Sequence, residues 1–290
     1  MNAGVLSLVL LSAVLHVLWN TLVKTCEDKL SFAWLTTVLG GAFLFVPFVL
    51  LRLFDPGVLG AEVWLWAAVS GAFQAVYVLL LFAAYGRADL SVVYPVCRGL
   101  APLAVLVLAG RLVGDEVGPV QAAAVTLIVA GTVAVGFTSR SANGRLSAPG
   151  LVLAVLTALA TAGYSLVDRR AMQLRPGPGA TEFLFISYIF LAALLTPFVA
   201  WRHRGLGGLF TQCRTNTRDV LLVSILTPLS YLCIVAAMKM GNVVLITAGR
   251  NVGILLSTAA GAWLLRERIT RGRLLGTGVI FSGLTLLVLH

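Results

Sequence analysis

Two arginines, Arg98 and Arg250, lie about eight residues inside long apolar runs. At the 1.5 Å rise of a helix that places each guanidinium about 12 Å below a bilayer surface. A charged group so deep costs at least about 2.5–3.5 kcal/mol on insertion scales, and arginine does not shed its proton at ordinary pH. Such groups belong in an internal cavity, where the planar fork can hold a carboxylate or phosphate through two hydrogen bonds. The plainer reading is that each arginine caps backbone carbonyls or pairs with an internal acid. Tyr94, Arg98 and Pro102 are spaced four apart and share a face; Thr247, Arg250 and Asn251 make a second cluster. Pro95 and Pro102 each remove a ladder hydrogen bond and crowd the preceding turn, so they predict a kinked or broken helix around Arg98.

Other polar residues fall in stripes on apolar runs. Ser12, His16 and Asn20 repeat every four residues with Trp19 beside them; Ser70, Gln74 and Tyr77 form a second stripe, and Thr157, Thr161, Tyr164, Ser165 and Asp168 a third. These stripes read either as the walls of a wet cavity or as plain interhelical hydrogen bonding. The candidate substrate-binding set is therefore Arg98, Arg250, Tyr94, Asn251, His16, Trp19, Asn20, Gln74, Tyr77 and Tyr164. His16 and Asp168 are the candidates for proton coupling, since each changes charge when its surroundings change. Asp168 also precedes Arg169 and Arg170, which suggests a salt bridge at headgroup level as the alternative. No GxSxG, HExxH or phosphate-binding loop occurs, and Cys26, Cys97, Cys213 and Cys233 contain no CxxC pair. Neither an enzyme nor a metal or cofactor site is expected.

The elements that must position these residues follow from composition. Of 290 residues 59% are hydrophobic and only 11% charged, and the mean hydropathy is +0.99. Soluble domains carry about 25% charged residues, so a soluble fold is excluded. Apolar runs at about 3–24, 31–53, 63–86, 90–110, 117–137, 148–170, 181–201, 219–240, 242–264 and 271–289 are each long enough to cross a bilayer. They show no strand-like alternation, and backbone groups in lipid must pair within their own segment, so the expectation is an all-α membrane protein of ten transmembrane helices. The net charge of +10 is scattered between the runs, which suits anionic headgroups and excludes a nucleic-acid surface.

A shift of 152 residues carries Arg98-Gly99 onto Arg250-Asn251, Asp115 onto Glu267 and Gly131 onto Gly283. Five helices per copy is an odd number, so the copies enter the membrane in opposite directions: residues 1–140 and 141–290 are expected to be two inverted five-helix repeats. Both termini then share one side. Thirteen basic residues follow odd-numbered runs and six follow even-numbered ones, which by the positive-inside rule puts the termini outside.

The pattern His16-Val-Leu-Trp19-Asn20 leading to Lys24, the segment Tyr94-Pro95-Val-Cys-Arg98-Gly-Leu-Ala-Pro102, and the paired Gly-Asp-Glu and Arg-Glu-Arg turns resemble the EamA family of the drug/metabolite transporter superfamily. The resemblance covers nearly the whole chain. It implies a secondary transporter of the cell (inner) membrane, a monomer or homodimer, moving a small amino acid-like, zwitterionic or anionic metabolite by alternating access through a central cavity, with protons as the candidate coupling ion. A flippase for a lipid or lipid-linked phosphate carrier is the alternative. Members of the family usually keep both termini in the cytoplasm, opposite to the charge count.

Overall fold

The computed structural model describes residues 1–23, 28–87, 90–138, 147–203, 217–263 and 270–289; within these, the side chains of 21, 23, 90–92, 94, 138 and 260–263 are not described. The described residues are helical with short turns: α1 (Ala3–Val23), α2 (Lys29–Phe54), α3 (Ala61–Tyr85), α4 (Leu90–Val113), α5 (Pro119–Thr138), α6 (Ala148–Met172), α7 (Ala180–His203), α8 (Thr217–Met240), α9 (Val243–Gly249), α10 (Val252–Trp263) and α11 (Arg271–Leu289). Nine of these are long and apolar enough to cross a membrane, and α9 with α10 forms the remaining expected span in two pieces. Side chains close the helix starts: Asp28 accepts from Ser31 N, Ser147 from Gly150 N and Asn242 from Val244 N.

The expected break is misplaced. α4 runs continuously through Pro95 and Pro102, and the discontinuity falls in the corresponding ninth span, at Arg250-Asn251, which contains no proline. There the ladder tightens: Asn251 N donates to Ala248 O, Gly253 N to Arg250 O and Ile254 N to Asn251 O, each three residues back. Pro95 is accommodated by a neighbour instead, because a Cβ on Gly136 of α5 would come within 2.0 Å of its ring.

The helices pack in a reciprocal pattern. α3 lies against α6 and α7, while α8 lies against α1 and α2. At the α5–α11 seam a Cβ on Gly131 would stand 2.7 Å from Gly276 O and 2.8 Å from Ile280 N; one on Gly283 would stand 2.9 Å from Ala124 O and 3.0 Å from Ile128 N. Adding 152 to 124, 128 and 131 gives 276, 280 and 283, so the two ends of the seam use equivalent atoms. Small residues let backbones meet this closely, and contact of this kind holds helices together in lipid.

Both termini reach one end of the bundle, where Met1 and Leu289 line a common groove. At this terminal face every residue of α9 is buried and polar groups tie the turns together. Arg169 of α6 donates from Nε to Asp115 Oδ2 at 2.9 Å and from Nη2 to Asp115 Oδ1 at 2.8 Å, and its Nη1 donates to Met238 O. Asp115 Oδ2 also accepts from Val243 N at 2.7 Å, Asn242 Nδ2 donates to Glu116 O and Gln173 Nε2 to Val113 O. On the opposite face Asp28 accepts from His203 and Ser31, joining α2 to α7. Burial pushes the Asp28 carboxyl up, but these hydrogen bonds and the Arg202 charge outweigh it and hold the group below the usual carboxylate range.

Candidate central site

Six segments converge midway along the bundle: α1, α3, α4, α6, α8 and the α9–α10 turn. Arg98 of α4 and the His16 ring of α1 are hydrogen-bonded. A guanidinium only donates, so His16 Nε2 accepts and the imidazole carries its proton on Nδ1. The His16 ring stands edge-on to Trp19 at 4.8 Å and 85°. Across the site, Arg250 places its guanidinium carbon 5.6 Å from the Tyr231 ring centroid, a cation–π contact.

Asp168 of α6 is fully buried. Ser70 of α3 donates to its Oδ1 at 2.5 Å, the Tyr231 hydroxyl of α8 to its Oδ2, and Gln74 Nε2 to Ser70 Oγ at 3.0 Å. Three tyrosines from three helices bridge the space edge to face: Tyr77 to Tyr164 at 5.9 Å and 83°, and Tyr164 to Tyr231 at 5.8 Å and 82°. His16 and Tyr77 both lie within electrostatic reach of Arg98 and Arg250, and Asp168 within reach of Arg250. Two permanent positive charges thus share a cluster of buried and half-buried aromatic side chains with a single described carboxyl, a charge balance that suits a negatively charged group.

Of the residues expected from sequence, His16, Trp19, Gln74, Tyr77, Arg98, Tyr164, Asp168 and Arg250 meet in this one network. Asn20 does not join it, because its Nδ2 donates back to His16 O within α1. Asn251 is buried and its Nδ2 has no hydrogen-bond partner among the described residues; the same holds for Thr247 Oγ1. Tyr94 lies on α4, with its side chain outside the described residues, as is Glu267. The third stripe is not a polar wall: Thr157, Thr161 and Ser165 donate to backbone carbonyls of their own helix. Ser12 bonds Ser230 and fastens α1 to α8. Asp168 makes no headgroup bridge, since its neighbour Arg169 pairs with Asp115.

Two features escaped the sequence reading. Tyr231 lies on α8 beside Ser230 and four residues after Thr227, a polar grouping that the sequence reading did not single out. The second signal was present but unused: the 152-residue shift that relates Arg98 to Arg250 also carries His16 onto Asp168 (16 + 152 = 168). The shift therefore relates the arginine of α4 and the titratable residue of α1 to the arginine of the ninth span and the titratable residue of α6.

The sequence profile of the EamA-like transporter family matches residues 148–289. A solved crystal structure, described only as that of a protein, aligns with 100% of this chain and 98% of its own at 17% identity and a TM-score of 0.76, which shows a shared fold. No curated protein matches the sequence.

Proposed function

Because this chain belongs to the EamA-like transporter family, we propose that it is a secondary transporter carrying a small amino acid-like, zwitterionic or anionic metabolite by alternating access. One observation supports this reading above the others: the arginine and titratable partner of each half occupy equivalent positions around one chamber. In this reading residues 1–140 and 141–290 are inverted units, and the site sits where they meet. Arg250 and Arg98 hold the anionic group, the tyrosines and Trp19 enclose the body of the substrate, and Gln74, Asn251 and Thr247 supply hydrogen bonds. Asp168 takes either the substrate's cationic end or a coupling proton, with His16 as the second proton carrier. The protein works as a multi-pass component of the inner cell membrane and performs no bond chemistry.

The test is counterflow of labelled amino acids and small organic anions in proteoliposomes. Uptake that saturates and falls at least about tenfold in both Arg98→Ala and Arg250→Ala is the expected result, a loss of 1.4 kcal/mol or more of substrate stabilisation. Unaltered uptake in both variants removes the arginines from the mechanism.

A flippase is the second reading, favoured by an apolar groove of about 270 Å³ between α1, α10 and α11. Leu10, Val252, Leu255 and Phe281 line it, and Gly249, next to Arg250, takes part in its wall. A phosphate on the arginine with its acyl chain in the groove would use both features, and flipping of a fluorescent anionic lipid in the same vesicles separates the two readings.

A further inference from the structure

The terminal face is held by a group that none of the site chemistry uses. Asp115 and Arg169 form a two-bond ion pair whose side chains are 7% and 15% exposed. The pair joins three separate pieces: the turn after α4 through Asp115, the end of α6 through Arg169, and the α8–α9 turn through Met238 O and Val243 N. Behind it lie the buried residues of α9, with Val5 and Val9 of α1 and Val113 of α4. A substrate leaving the chamber toward this face has to part the turn after α4 from α6 and α8, and the ion pair spans that line.

The 152-residue shift does not carry this pair onto the Asp28–His203 contact of the opposite face. Subtracting 152 from Arg169 gives Val17, an apolar residue, so the inverted copy cannot repeat the same contact. Arg169 also follows Asp168 directly, and both residues grip α8: Asp168 through Tyr231 in the chamber, Arg169 through Met238 O two turns further on. Successive residues of a helix point about 100° apart, so a rotation of α6 that loosens one grip moves the other.

We infer that Asp115 and Arg169 are the latch that keeps the terminal face shut, and that α6 ties this latch to the central site through the adjacent Asp168. Both are positioning residues: they touch no substrate and act on the path to it. The inference rests on the transporter reading, since a latch has meaning only where something passes.

The experiment reads opening directly. Val244→Cys places a thiol on buried α9 in a background whose four native cysteines are serine, and a membrane-impermeant maleimide is applied from each side in right-side-out and inverted vesicles. Slow labelling from both sides is expected for this parent. Asp115→Asn and Arg169→Gln should each label about tenfold faster from the terminal face alone, and the double variant no faster than either, because the two groups act as one unit. Asp115→Glu, which keeps the charge, should stay within about twofold of the parent and serves if the neutral variants fold poorly. Asp168→Asn should label faster than the parent by an intermediate factor, about threefold. Native labelling rates in both neutral latch variants overturn the latch, and a native rate in Asp168→Asn overturns its tie to the site. Counterflow is measured in the same preparations: labelling that responds in a protein without uptake sinks the transporter reading and leaves the latch, while uptake with unresponsive labelling does the reverse.

Discussion

The fourth span and the ninth are related by the 152-residue shift, and they differ in the direction opposite to their sequences. α4 carries two prolines and stays whole; the ninth span has none and tightens at Arg250-Asn251. In α4 the missing proline donors are isolated losses, and Gly136 makes room for the Pro95 ring. In the ninth span Arg250 sits at the tightened turn itself, over the Tyr231 ring and within electrostatic reach of Asp168. Proline alone therefore does not locate the helix discontinuity in this bundle. The partners differ too. Arg98 is held by a neutral imidazole, whereas Arg250 lies over an aromatic ring within electrostatic reach of a carboxyl, so the surroundings of the two arginines differ in charge.

The comparison breaks most visibly at the titratable pair. Asp168→Ala should lower uptake by about 100-fold, because it removes the one described carboxyl of the network and leaves the Ser70 and Tyr231 hydroxyls without their acceptor, a change worth about 3 kcal/mol. His16→Ala, removing a neutral partner, should cost about tenfold or less, in keeping with about 1 kcal/mol for one hydrogen bond. Equal losses in initial-rate measurements would mean that the halves are equivalent in charge as well as in place. Gly136→Ala probes the continuous span: its new Cβ meets the rigid Pro95 ring, and thermal denaturation in detergent should register a loss of about 2 kcal/mol. An unchanged melting temperature would mean that α4 does not depend on α5 for its continuity. The smallest effect is expected at Thr247→Val on the tightened span. Its hydroxyl has no described partner, so stability should change by less than about 0.5 kcal/mol while uptake falls about fivefold. A clear loss of stability would instead reveal a structural bond at that hydroxyl.

The spans were legible in the sequence because length and apolarity act residue by residue: α2, α3 and α6 begin and end within a few positions of the apolar runs that predict them. Arg98 and Arg250 were legible for the same reason, since a charge in an apolar run stands out without any knowledge of its neighbours. What stayed hidden depends on which helices touch. Ser70, Gln74 and Asp168 form two separate stripes in the chain, and only the α3–α6 contact makes them one chain of hydrogen bonds. Arg169 sits one residue from Asp168 yet turns to Asp115, a partner 54 positions away. Thr157 and its neighbours form as good a stripe as any, but their hydroxyls return to their own helix, a choice that spacing does not reveal.

The seam between α5 and α11 carries a last consequence. Gly131 and Gly283 meet matching sets of backbone atoms at opposite ends of one contact, so a methyl group added at either position wedges only its own end. A single such change would open the pair like scissors instead of pushing the helices apart in parallel. The same change at both glycines would leave them side by side, farther apart, with the crossing angle restored.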